Sequence, residues 1–226
     1  MDRYTSILFD ADDTLLDFDA AERAAFKMTC EKFGVEYSDG LLSLYSSINL
    51  SLWKKFERRE IQKSDILKRR FAELFSEAGI SGDCAVFGSE YISFLAKCAF
   101  KIEGADDICR LLTERGYVLY IITNGSERVQ SSRMELCGLK KYFSGIFISE
   151  KTGAGKPDKR FFDYVLNNIG EKNKYKILVV GDSPTSDIKG GADSGLDTCY
   201  LNKKGEKPER PATFEITKLS ELIYIL

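Results

Sequence analysis

Histidine does not occur in this chain of 226 residues. Every mechanism that needs an imidazole as general base, phosphoryl acceptor or metal ligand is thereby excluded for the chain acting alone. Catalysis would have to run on carboxylates, hydroxyls, lysines or thiols. Proline is scarce, at four residues, yet 43% hydrophobic and 12% aromatic residues describe an ordinary globular protein with ample material for a core. No apolar run approaches the roughly 18 to 20 residues that a membrane span requires. Met1-Asp2-Arg3-Tyr4 leads straight into a strand without an apolar signal core, so the expectation is a cytoplasmic protein with no membrane partner. Neither sign of charge dominates: 33 Lys plus Arg stand against 35 Asp plus Glu, with no basic stripe to bind nucleic acid. Cys-x-x-Cys pairs are also missing. The six cysteines, at 30, 84, 98, 109, 137 and 199, lie in apolar-periodic stretches and are expected to be reduced core thiols.

Short apolar runs suited to buried parallel strands occur at Ser6 to Phe9, Val118 to Thr123, Gly145 to Ser149, Ile177 to Gly181 and Thr198 to Leu201. From Gly104 onward they alternate with helical patterns near 104–115, 126–138, 158–169, 184–194 and 217–225, the mark of βαβ units. An α/β fold with an open, doubly wound, Rossmann-like parallel sheet follows, because such crossovers are nearly always right-handed. Residues 17–99 read differently, as charged helices without strands. They predict a helical cap domain inserted into a core of residues 1–16 and 100–226.

Ligands of open parallel sheets bind beyond the carboxyl ends of the strands, so the polar residues there carry the functional argument. The first strand runs into Asp10-Ala11-Asp12, whose alternation in an extended chain would aim both carboxylates the same way. The second ends Thr123-Asn124-Gly125, a hydroxyl and a glycine-freed backbone before a helix, a geometry that suits an anion. Lys156-Pro157 follows the third, and Asp182 to Asp187 follow the fourth. Singly, each residue has a plain alternative as a helix cap, a solvated lysine or a β-former. Together, four strand ends supply acids, a hydroxyl and a cation in one place. Two decoys fall away. Cys109 and Arg115 have Cys-x5-Arg spacing but lie on an amphipathic helix, and Gly153-Ala154-Gly155-Lys156 lacks the first glycine and the hydroxyl of a nucleotide loop.

These four motifs, in this order and strand context, resemble the haloacid dehalogenase superfamily. The resemblance implies attack by Asp10 to form an aspartyl phosphate, with Asp12 as general acid and base. It implies Mg²⁺ held by Asp10, the backbone carbonyl of Asp12 and Asp182, with Asp187 close by. Thr123, Asn124 and Gly125 would bind the phosphoryl group, and Lys156 would neutralise charge. Charge considerations agree, since an anionic nucleophile meets a phosphate dianion with repulsion on the order of 4 kcal/mol per charge pair at about 4 Å. The second acid, Asp12, favours phosphate esters over carbon–halogen bonds. Phe9 to Leu15, Ile122 to Gly125, Ile148 to Glu150, Gln130, Arg133, Gly138, Leu139, Tyr142 and Phe143 are similar to pyrimidine nucleotide 5′-nucleotidases. A nucleoside monophosphate is therefore the expected substrate, with a sugar phosphate as the alternative. Phe18, Trp53 and Phe56 would either stack on a base or pack within the cap. The chain is expected to be a monomer or a homodimer.

Overall fold

A computed structural model describes residues 3–203, 205 and 207–226. Among the described residues, six strands, β1 (Ser6–Phe9), β2 (Val118–Thr123), β3 (Phe143–Ile148), β4 (Ile177–Gly181), β5 (Asp197–Leu201) and β6 (Phe214–Ile216), form one sheet in the order β3-β2-β1-β4-β5-β6. Every neighbouring pair is parallel. Side chains alternate between the faces of a strand, and here both faces are covered. Ile7, Phe9, Leu119, Ile121, Leu178 and Val180 pack with helix α5 (Ala105–Glu114) and α6 (Glu127–Leu136). Leu8, Tyr120, Ile122, Ile177 and Val179 pack with α8 (Lys159–Asn168) on the opposite side. Each fully buried Leu, Ile or Val contributes about 1.5–3 kcal/mol. The register sets Phe9 beside both Ile121 and Val180, which brings the carboxyl ends of β1, β2 and β4 to one edge.

The helical elements α1 (Phe18–Phe33), α2 (Asp39–Glu57), α3 (Lys63–Ala78) and α4 (Cys84–Leu95) supply a second compact unit, Asp19–Cys98, distinct from the unit of residues 1–18 and 99–226. Local signals start and stop them: Ser38 Oγ accepts from Leu41 N, Asp83 caps α4, and Gly79 ends α3 at φ 66°. The interior of this unit is aromatic, with Tyr45 stacked between Phe26 and Phe71 at 4.9 Å on each side. Trp53 and Phe56 meet edge to face at 5.8 Å.

Three sequence expectations are corrected. The third strand runs Phe143–Ile148, and Ser149 instead opens the short helix α7 (Ser149–Thr152). The helix expected over 184–194 is a π-helical turn, Pro184–Lys189, followed by α9 (Gly190–Asp193). The helix expected over 217–225 is a 3₁₀ helix, Leu219–Tyr224, and it follows β6, a three-residue strand too short to be read in the sequence. All six cysteines are free thiols. Cys109 lies buried in α5, where burial pushes its thiol far up, against any nucleophilic role.

Candidate active site

The chain leaves β1 through a tight turn. Asp10 N still donates to Val180 O at 2.9 Å, so strand pairing persists through Asp10. Leu15 N and Leu16 N then both turn back to Ala11 O, and Asp13 adopts φ 55°. Asp13 sits in this left-handed conformation with its carboxylate accepting from Phe18 N at 3.0 Å. Asp10 and Asp12 take different partners: Lys156 holds Asp10, and Gln130 and Arg133 hold Asp12.

Asp10 belongs to a buried charge cluster. Lys156, 2% exposed, donates to Asp10 Oδ1 at 2.5 Å, Asp187 Oδ1 at 2.6 Å and Ile122 O at 2.9 Å, committing all three ammonium protons. Its backbone is clamped by the Asn124 side chain, which donates to Lys156 O and accepts from Lys156 N, both at 2.8 Å. The following Lys156–Pro157 peptide is cis. Asp187 comes from the π-helical turn, in which Asp187 N and Ile188 N both donate to Ser183 O. The turn lays Asp187 over Gly181, where a Cβ would lie 2.4 Å from Asp187 Cγ. Asp182 accepts from Thr14 Oγ1 at 3.3 Å.

Carboxylate oxygens of Asp10, Asp182 and Asp187 all lie within 4.8 Å of one another. Burial, then the neighbouring Asp187 and Asp182, hold Asp10 well above the usual carboxylate range although Lys156 opposes the shift. Burial and Asp187 raise Asp182 to about 7. Burial works against the Lys156 ammonium, but Asp10 and Asp187 outweigh it and the net shift is upward. One lysine thus under-compensates three acids. A hard divalent cation fits this all-oxygen donor set and would relieve the excess negative charge, as Mg²⁺ does in such surroundings.

The second group of residues gathers around Asp12. Its carboxylate is ion-paired with Arg133 and accepts from Gln130 Nε2 at 2.5 Å. Gln130 Nε2 also lies 3.0 Å from Thr123 Oγ1, which accepts from Gly125 N at 3.0 Å. A Cβ on Gly125 would meet Gln130 Nε2 at 2.2 Å, so this position needs glycine for close approach. The Arg133 guanidinium carbon sits 5.9 Å from the centroid of the Phe18 ring. Asp10, Lys156, Asp182 and Asp187 therefore form one cluster, and Asp12 and Thr123 a second. The side chain of Asn124 serves Lys156. Gln130 and Arg133 were not among the predicted site residues, although two buried polar residues at i, i+3 on α6 were visible as part of the nucleotidase-like pattern.

A profile of the haloacid dehalogenase-like hydrolases matches residues 4–195. The HAD-hydrolase YfnB of Bacillus subtilis is 40% identical over all of this chain and 97% of its own. Its magnesium-bound crystal structure superposes with a TM-score of 0.94 over 99% of both chains. The pyrimidine 5′-nucleotidase PynA of Streptococcus pneumoniae is 36% identical over 97% of this chain and 94% of its own. The pyrimidine 5′-nucleotidase YjjG of Escherichia coli is 32% identical over 97% of this chain and 96% of its own. With a profile match over most of its length and relatives of this identity across nearly all of it, the chain belongs to the haloacid dehalogenase-like hydrolase family and is an enzyme.

Proposed function

We propose that this hydrolase is a magnesium-dependent phosphomonoesterase that forms an aspartyl phosphate at Asp10 and acts on pyrimidine nucleoside 5′-monophosphates. The observation that carries the chemistry is the buried Lys156 contact to Asp10 Oδ1 beside Asp182 and Asp187. Lys156 orients Asp10 through one oxygen, and among the described residues no hydrogen bond reaches the other, Oδ2, which is left to attack. The side chains of Asp10, Asp182 and Asp187 and the backbone carbonyl of Asp12 would hold the metal. When bound, Mg²⁺ supplies positive charge against the nucleophile and the phosphoryl oxygens.

Asp10 forms its bond to phosphorus as the ester P–O bond breaks, and Asp12 protonates the departing alkoxide. Asp12 then removes a proton from the water that attacks the acyl phosphate, giving inorganic phosphate and free Asp10. The Thr123 hydroxyl and the backbone amide of Asn124 receive the phosphoryl oxygens, while Gly125 N donates to Thr123 Oγ1. The helical unit, Asp19–Cys98, acts as the cap that selects the leaving group. The names of PynA and YjjG support the substrate class.

Phosphate release is to be measured over dUMP, dTMP and a set of sugar phosphates, with magnesium or with chelator. Fastest turnover on the pyrimidine nucleotides, abolished by chelator, is expected. A clear preference for sugar phosphates would replace the substrate class, and full activity in chelator would overturn the metal assignment.

A further inference from the structure

The side chains of Gln130 and Arg133 are fully buried on α6 yet polar. A carboxylate only accepts hydrogen bonds, so the part of Gln130 that faces Asp12 Oδ2 is its NH₂ group. That group has two protons, one for Asp12 and one for Thr123 Oγ1. Thr123 Oγ1 also accepts from Gly125 N, which fills both of its lone pairs. The Thr123 proton can then only be donated away from these partners. Among the described residues Gln130 Oε1 has no hydrogen-bond partner in its buried position. An unsatisfied buried carbonyl is destabilising, so packing alone would favour an apolar residue here.

We infer that Gln130 is a positioning residue that presents the Thr123 hydroxyl to the phosphoryl group as a donor while it holds the Asp12 carboxylate, with Arg133 completing the hold. The inference rests on the roles proposed above for Asp12 and Thr123. Gln130→Glu keeps the shape but makes the group acceptor-only at its second position as well. Its carboxylate takes the Thr123 proton and repels Asp12. Gln130→Met keeps the bulk and removes both hydrogen bonds, leaving Thr123 able to turn.

The test measures inhibition by orthovanadate with saturating magnesium, alongside kcat on an alkyl phosphate and on p-nitrophenyl phosphate, for proteins shown to be folded by circular dichroism. Vanadate affinity should fall in the order Gln, Met, Glu, with a loss of about 10- to 100-fold for Gln130→Glu, the size of one hydrogen bond to a charged group. That loss should vanish when Thr123→Val is already present. The kcat penalty should be larger for the alkyl ester, whose leaving group needs a proton. Unchanged vanadate affinity, a Met variant weaker than the Glu variant, or a full loss persisting beside Thr123→Val would overturn the inference. Asp12→Asn in the same assay separates the two levels. An Asp12→Asn penalty equal for both esters would defeat the acid–base reading, while the vanadate series still decides the role of Gln130 toward Thr123.

Discussion

Lys156 binds two buried carboxylates and a backbone carbonyl with its three protons, and nothing else among the described residues neutralises Asp10. Removing one partner of a buried ion pair leaves uncompensated charge, which is far worse than never having had the pair. Lys156→Met is therefore expected to cost about 3–5 kcal/mol of stability in the presence of chelator. A shift of the denaturant midpoint at unchanged slope would show it. Asp10, Thr123 and Asp182 were legible as candidates because each ends or directly follows a strand, and Lys156 because it lies in the loop after the third strand, where the fold gathers polar groups. Gln130 and Arg133 were not singled out by chemistry, because polar residues on a helix ordinarily mark its solvated face. Only the packing of α6 shows that both are buried beside Asp12.

At the scale of elements, the strands β1, β2 and β4 were legible because burial on both faces writes a continuous apolar run. The π-helical turn at Pro184–Lys189 was not, since its sequence reads as an ordinary helix start with Pro at the first position. Its consequence is spatial: the turn sets Asp187 directly above Gly181. Gly181→Ala would drive a methyl into that carboxylate, and overpacking of this kind costs about 1–3 kcal/mol. The variant is expected to lose thermal stability and most of its turnover together, measured by a thermal melt and by phosphate release.

In the helical elements, Glu22 accepts from Ser46 Oγ at 2.5 Å and Asn49 Nδ2 at 3.1 Å. Burial nevertheless raises its carboxyl above the ordinary value, with those two hydrogen bonds opposing. A raised folded-state value means that this contribution to stability is fully present below the unfolded value, about 4.3, and is lost as the pH rises through the folded value. Relative to Glu22→Gln, the parent protein should lose melting temperature as the pH is raised from about 4 toward neutrality. A difference between the two that stays constant over that range would contradict the assignment.

For the whole molecule, a two-sided parallel sheet delivers three strand ends to one edge, and the acids, hydroxyl and lysine of the candidate site arrive there from distant parts of the chain. The absence of histidine agrees with chemistry run on carboxylates alone. The central claim is a covalent intermediate on Asp10, with Asp12 acting in both half-reactions. In Asp12→Ala, p-nitrophenyl phosphate can still transfer its phosphoryl group, because p-nitrophenolate departs unprotonated, whereas hydrolysis of the acyl phosphate lacks its base. The decisive measurement is a rapid-mixing experiment on Asp12→Ala with this ester and magnesium, followed by borohydride reduction and peptide mass spectrometry. The account predicts a burst of p-nitrophenolate equal to the enzyme present and conversion of Asp10 to homoserine. No burst together with an unmodified Asp10, or reduction at a different residue, would contradict it.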